Sequence, residues 1–396
     1  MDASSADPVA ADSEPHDPHV SHDQTHDAEQ KHFERIVNSF KFYSRHHQQK
    51  LLKTINYCDG LPAEQRQRLN AYSRHMDSLR TAVRANARIM HEMVRDSECM
   101  FENRDHCEVP EPGVGDNDWG QGTEPRAADM DKTACVLRQI VREWTRDGIQ
   151  ERSQSFGQII EAVDRYFGSR DAAVKRETRI LVPGAGLGRL PNEIAKRGYA
   201  TQGNEFSMFM LITSHFILNK CKEVDAFTFY PYVHQMSNVL HSSHQVRPVT
   251  FPDEDPSDIS PHVPFSMTAG NFIDVYSAPE YESHFHCITS CFFIDTAHNV
   301  LQYIETMHKS LRDNGIWINL GPFLYHFSDI ADEDSIEPCY EFVRDIIISY
   351  GFQFLEERHD VPCFYTQNSD SMLSYVYKCV FFVVRKTGSN SRPTDS

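Results

Sequence analysis

The chain has 396 residues, with 39 Lys plus Arg against 57 Asp plus Glu, a formal net charge of −18 with its 21 His counted as neutral. That length allows two or three domains with real cores, and 40% hydrophobic with 11% aromatic content excludes a largely disordered chain. The acid excess argues against nucleic-acid binding by phosphate neutralisation and against anchoring on anionic lipid.

No window approaches the roughly 18 apolar residues of a membrane helix. The N-terminus shows neither the basic nor the apolar region of a secretory signal. Ten Cys without a C-x-x-C pair do not make a disulfide scaffold in a chain this long; they read as reduced thiols in the cytosol or nucleus.

Residues 1–30 hold eight acids, no Lys or Arg and almost no large apolar side chain, which predicts a disordered acidic tail. His16, His19, His22 and His26 have the spacing of helical metal ligands, but Pro15 and Pro18 oppose that helix and no metal site is expected. Over 31–105, Phe33, Ile36, Val37, Phe40, Leu51 and Ile55, then Leu69, Met76, Leu79, Val83 and Met90, recur at helical spacing around a break at 59–62. This predicts a helical N-terminal module. The Pro-, Gly- and Asp-rich stretch 106–130 reads as a linker. Leu137, Ile140, Val141 and Trp144 then mark a further helix. From about residue 179 strands and helices alternate, the pattern of an α/β domain with a mostly parallel sheet. That domain is bounded at 131–390, with a polar tail at 391–396.

The strongest local signal is the β-branched run Arg179–Pro183 entering Gly184-Ala185-Gly186-Leu187-Gly188 and leaving through a helix with Leu190, Ile194 and Ala195. Glycines permit positive φ and close approach of a ligand, and a helix N-terminus favours electron-rich groups. The dinucleotide fingerprint would place its third Gly where Arg189 stands, which disfavours a NAD-dependent oxidoreductase. The spacing resembles the first motif of class I methyltransferases that bind S-adenosylmethionine. Glu205 closes the second strand, 21 residues beyond Gly184, where an acid can accept from ribose hydroxyls. In the stretch 267–272, Asn271 offers a carbonyl acceptor and Phe272 an aromatic face.

Residues 287–295 read as a buried strand ending on Asp295, at the strand ends where a doubly wound sheet binds ligands. A helix is expected from Ala297, a strand over 316–320, and Tyr325-His326 in an exposed loop. The last two strands, ending in 375–384, form an antiparallel edge. For Asp295 the plain alternative is a helix N-cap; for His326, a buried and satisfied imidazole; for Tyr377, a core strand position.

The segments 180–190, 203–205, 265–270, 291–300, 315–327 and 371–386 resemble the carnosine N-methyltransferase family, over roughly residues 131–388. The stretches 292–299 and 315–327 are specific to it. The resemblance implies a Rossmann-like class I methyltransferase sheet, mostly parallel with an antiparallel last strand, beside a helical N-terminal module. It implies transfer of a methyl group from S-adenosylmethionine to an imidazole nitrogen of carnosine (β-alanyl-histidine), giving anserine, at the nitrogen nearer the side-chain attachment. It assigns cofactor contacts to Gln139, Arg142, Gly184, Gly186, Glu205, Asn271, Phe272 and Cys291, and substrate contacts to Asp295, His326 and Tyr377, with Tyr375 and Tyr365 as weaker candidates. Arg142 would otherwise read as a solvated helix residue. The family usually carries Asp where Asn271 stands, so the acceptor is kept and the charge lost. A homodimer is also implied. Histidine methylation in other peptides or proteins shares every motif, and a catalytically inactive cofactor-binding module is opposed by the intact Gly184, Glu205, Asp295 and His326.

Overall fold

The computed structural model describes residues 22–95, 97 and 125–388. Most of the expected acidic tail (1–21), the end of the expected helical module (98–105), most of the expected linker (106–124) and the 391–396 tail lie outside the described residues, and so do His16 and His19.

The chain opens with α1 (His22–Asp59), which begins inside the stretch read as a disordered tail. After the break at Gly60–Pro62 come α2 (Ala63–Arg68) and α3 (Asn70–Val94). Next is α4 (Ala127–Trp144), which starts within the expected linker. Three helices, α5 (Ile149–Gln154), α6 (Phe156–Phe167) and α7 (Ala172–Glu177), lead to β1 (Arg179–Pro183), α8 (Arg189–Lys196) and β2 (Ala200–Glu205). An excursion follows, with α9 (Met208–Lys220), β3 (Phe227–Phe229), α10 (Ser242–Gln245) and β4 (Val249–Phe251). The chain then runs through β5 (Phe265–Ala269), α11 (Phe272–Tyr276), β6 (Phe285–Cys291), α12 (Val300–Ser310), β7 (Leu311–Gly321), α13 (Tyr340–Ser349), β8 (Phe352–Cys363) and β9 (Tyr377–Lys386).

Contacts divide the chain into two units. One comprises the described residues up to Asp147 with Met208–Asp255 and Thr366–Ser374. The other comprises Gly148–Ser207, Pro256–Tyr365 and the chain from Tyr375. Helix α4, at the start of the stretch bounded as 131–390, thus groups with the N-terminal helices.

The helical unit buries one stripe of each long helix, Ile36, Phe40 and Tyr43 from α1 and Met76, Leu79, Val83 and Met90 from α3. This is the 3.6-residue periodicity visible in the sequence. Its small β3–β4 sheet is antiparallel.

The second unit carries a seven-stranded sheet in the order β5-β2-β1-β6-β7-β9-β8. The pairs β1–β2, β2–β5, β1–β6 and β6–β7 are parallel, and β9 runs antiparallel between β7 and β8. Both faces are covered, so β6 and the end of β7 are buried at nearly every position, with Thr289, Ser290 and Asn319 among otherwise mostly apolar residues. Ile180, Val182 and Cys287 pack with α6 and α8 on one face; Leu181, Ile288 and Trp317 pack with α11, α12 and α13 on the other. From β1 the chain steps outward to β2 and β5, then returns to β6 on the other side of β1. The reversal opens a crevice beyond the carboxyl ends of β1 and β6. Among the described residues, no helix is long and apolar enough to cross a membrane.

Candidate active site

The turn after β1 forms one wall of the crevice. Gly184 and Gly186 have φ of +64° and +56°, a region costly for other residues. A Cβ on Gly184 would stand 2.6 Å from Phe293 Cδ2, so glycine is required there sterically as well. The turn is tied to the end of β2. The Ala185 N–H donates to the Asn204 carbonyl at 2.9 Å, and the Gly186 N–H donates to Glu205 Oε2 at 2.8 Å. Glu205 Oε1 accepts from the Phe206 and Ser207 N–H groups, both at 2.9 Å. Glu205, at the end of β2, is therefore fastened to the glycine turn through its carboxylate.

Beyond β5, Asn271 caps α11, its Oδ1 accepting from the Ile273 N–H at 2.8 Å and the Asp274 N–H at 3.4 Å. The side-chain carbonyl expected to read a ligand thus also serves the backbone. Phe272 is 2% exposed, its ring edge-on to Phe293 and Tyr303 at 5.4 and 5.2 Å between centroids. It belongs to a buried aromatic stack in which Phe293 and Tyr303 lie nearly parallel at 4.7 Å.

The opposite wall follows β6, which ends at the buried Cys291. Asp295 is not the last residue of that strand, as the apolar run suggested, but lies in a short 3-10 turn, Ile294–Thr296. The chain reaches it through Phe292, a non-glycine residue at φ +52° whose N–H donates to the Leu320 carbonyl at 2.8 Å. Such a conformation persists only where its surroundings hold it, and it recurs at functional sites. Helix α12 starts at Val300 rather than Ala297, and its N-cap is Asn299, whose Oδ1 accepts from the Leu301 N–H at 3.0 Å. Asp295, 3% exposed, is therefore not used as a helix cap.

Asp295 instead fastens the loop after β7. Its Oδ2 accepts from the Leu324 N–H at 2.9 Å, and its carbonyl accepts from the His326 N–H at 3.2 Å. That loop is not exposed as expected. Tyr325 is buried, its hydroxyl donating to the Pro338 carbonyl at 2.6 Å, and His326 is half-buried. The His326 Nδ1 is buried with no hydrogen-bond partner among the described residues. Desolvation pushes this imidazole down to about 4, so it is neutral near pH 7.

Tyr377 opens β9, half-buried, its ring edge-on to Phe292 at 5.7 Å; Tyr365 lies 4.9 Å from the same ring. Tyr375 precedes the strand and is 53% exposed. Gly184, Gly186, Glu205, Asn271, Phe272, Cys291, Asp295, His326, Tyr365, Tyr375 and Tyr377 all belong to the sheet unit. Gln139 and Arg142 belong to the helical unit, on one face of α4, and both are buried (4% and 5% exposed). Arg142 is therefore not the solvated residue that α4 alone suggested; its Nη1 lies 3.9 Å from Glu143 Oε1.

Sequence reasoning missed Tyr303. Its hydroxyl lies 3.3 Å from Thr296 Oγ1. Burial first, then the Glu205 and Asp295 charges, push it up to about 12. It feels the charge of both acids that the sequence singled out, but lies on a helix face where a Tyr reads as ordinary core.

A sequence profile described as carnosine N-methyltransferase matches residues 120–388. A rat protein named carnosine N-methyltransferase is 43% identical over 358 residues, 90% of this chain and 86% of its own length. A fruit-fly protein named carnosine N-methyltransferase unmet is 38% identical over 369 residues, covering 90% and 80% of the two chains. The fission-yeast protein of the family name is 40% identical over 273 residues, covering 66% and 73%. By that profile and these relatives, the chain belongs to the carnosine N-methyltransferase family.

Proposed function

We propose that the protein methylates an imidazole nitrogen of carnosine, giving anserine, in the cytosol or nucleus and as a homodimer. The observation that carries this reading is the tie between the turn after β6 and the loop after β7, which holds Asp295 and His326 together at the switch point.

The residues present suit S-adenosylmethionine, which supplies the methyl group when bound. Gly184 and Gly186 keep the backbone close, with no room for a Cβ at Gly184. Glu205 would accept from O–H donors such as ribose hydroxyls, and Phe272 with Asn271 would serve the base. The role of Arg142 and Gln139 as a carboxylate clamp is what the family resemblance implies.

Imidazole has an ordinary pKa of about 6.5, so near neutral pH no strong base is needed to make it a nucleophile. The tautomer matters instead: the attacking nitrogen must carry the lone pair and the other nitrogen the proton. Asp295 accepts that second N–H, which selects the tautomer and stabilises the imidazolium as it forms. Neutral His326 can accept at Nδ1 or help orient the ring. The rings of Phe292, Tyr365 and Tyr377 form an aromatic wall, and the Tyr377 hydroxyl holds the dipeptide. Much of the rate comes from alignment of donor and acceptor.

The test is incubation of purified protein with labelled S-adenosylmethionine and carnosine, homocarnosine or a His-containing peptide. Mass spectrometry is expected to show one added methyl on the carnosine imidazole, at the nitrogen nearer the side-chain attachment. Transfer only to the peptide would move the activity to peptide histidine; no transfer to any imidazole would overturn the reading. Light scattering of the same sample checks the dimer.

A further inference from the structure

The opposite end of the same strands carries a second cluster unrelated to methyl transfer. Arg179 is the first residue of β1, His286 the second of β6 and Arg312 the second of β7. His284 precedes β6, and Arg170 lies just before α7, its Nη1 donating to Thr178 Oγ1 at 3.1 Å. In a chain of net charge −18 this concentration of cations is unexpected. Among the described residues, none of the three guanidinium groups meets a carboxylate at ion-pair distance. The next residue, Asp313, acts instead on His308 and Lys386.

The hydrogen bonding of His286 is internally inconsistent without a further group. Its Nδ1 accepts the Arg179 backbone N–H at 3.0 Å. Its Nε2 lies 2.9 Å from Arg312 Nη1. Burial, then the charges of Arg312, Arg170 and Arg179, push this imidazole down to about 4, so the ring is neutral. A neutral imidazole has one lone pair and one N–H. With Nδ1 accepting, the proton is on Nε2 and faces a guanidinium, which can only donate. The Arg179 guanidinium also lies against the His284 ring, 3.4 and 3.3 Å from its two nitrogens. A neutral His284 can accept from Arg179 through its free lone pair, so the opposed donors are the His286 Nε2–H and the Arg312 guanidinium, and the group that accepts from both is an oxyanion.

We propose that this end of the sheet is an oxyanion site that takes a phosphate group, held by Arg312 and Arg179 together with the His286 Nε2–H. The arginines supply charge and planar donor pairs suited to phosphate oxygens, and the anion relieves the donor–donor contact. The site is separated from the Gly-rich turn by the length of β1, five residues, or about 16 Å.

The probes are inorganic phosphate and vesicles of phosphatidylcholine with phosphatidic acid, at matched ionic strength, on the full chain and on Arg179→Gln/Arg312→Gln. Both arginines are exposed, and glutamine at 179 keeps the backbone N–H. Calorimetry is expected to show saturable binding by wild type, weakened about tenfold or more in the double variant. The unfolding midpoint in phosphate-free buffer checks that the variant is folded. Saturation by inorganic phosphate assigns the site to a free phosphate-bearing ligand; binding confined to the acidic vesicles assigns it to a lipid headgroup. Binding of neither probe by wild type, or equal binding by the variant, overturns the proposal.

Discussion

Asp295 shows how much depends on where a single carboxylate is used. Asn299 satisfies the N-terminus of α12, so the Asp295 side chain reaches across to the loop after β7 and accepts from Leu324. Its two functions separate chemically. An asparagine can still accept the Leu324 N–H through its carbonyl, but it has no charge to offer an imidazolium. Asp295→Asn should therefore keep its unfolding midpoint while losing about a hundredfold or more in kcat/KM with carnosine, the range of positioned acid–base groups. Near wild-type turnover would remove Asp295 from the mechanism.

At the scale of elements, the β1–α8 turn is the most legible part of the molecule because its constraint is steric and local. β-branched residues, then glycines, then an apolar helical stripe require strand, tight turn and helix. The exact end of β6 was not legible, because the apolar run 287–294 continues past Cys291 without a break. The chain leaves the strand there through the left-handed Phe292, which only tertiary packing imposes: a Cβ on Gly321 would stand 3.2 Å from its Cα. The burial of Tyr325 and Phe327 in the loop after β7 was equally hidden, since that loop is held by Asp295 and Pro338 contacts distant in sequence. Gly184 provides the element-scale test. Gly184→Ala places a Cβ at φ +64° against Phe293, a ring held by Tyr303 and Phe272. The substitution should cost roughly 1–3 kcal/mol in denaturant unfolding and raise KM for S-adenosylmethionine. Trimming the ring, in Gly184→Ala/Phe293→Leu, should cost less than the two single changes added together, a coupling expected of residues in contact. Strict additivity would show that the two do not meet.

For the whole molecule, the net charge of −18 is a misleading guide, since eight of the acids fall within residues 1–30. The 21 His are more consequential, and one group of them, centred on the buried His47, sets a pH limit on the helical unit. The His47 and His234 rings lie 3.9 Å apart, with His46 5.0 Å from His47. The chain Asn86–Tyr43–His234 is hydrogen-bonded, with Asn86 Nδ2 donating to the Tyr43 hydroxyl at 3.0 Å and that hydroxyl 2.7 Å from His234 Nε2. Desolvation, with the charges of Arg138 and Lys50 and the neighbouring His46, brings His234 down to about 3, and desolvation with His234, His46 and Lys50 lowers His47 well below its ordinary value. Both rings are therefore neutral when folded, and in the unfolded chain they take up protons near the ordinary pKa of about 6.5. Between those limits the unfolded state binds more protons, so stability rises with pH. The contribution is complete above about pH 6.5 and is lost as the pH falls toward the folded values, by up to about 1.4 kcal/mol per pH unit for each ring. Hydrogen exchange in α1 and α3 should accordingly lose protection between about pH 7 and pH 5, once corrected for intrinsic exchange rates. His47→Gln, which cannot take up a proton, should flatten part of that slope. A slope identical in wild type and variant would place the proton uptake at other histidines.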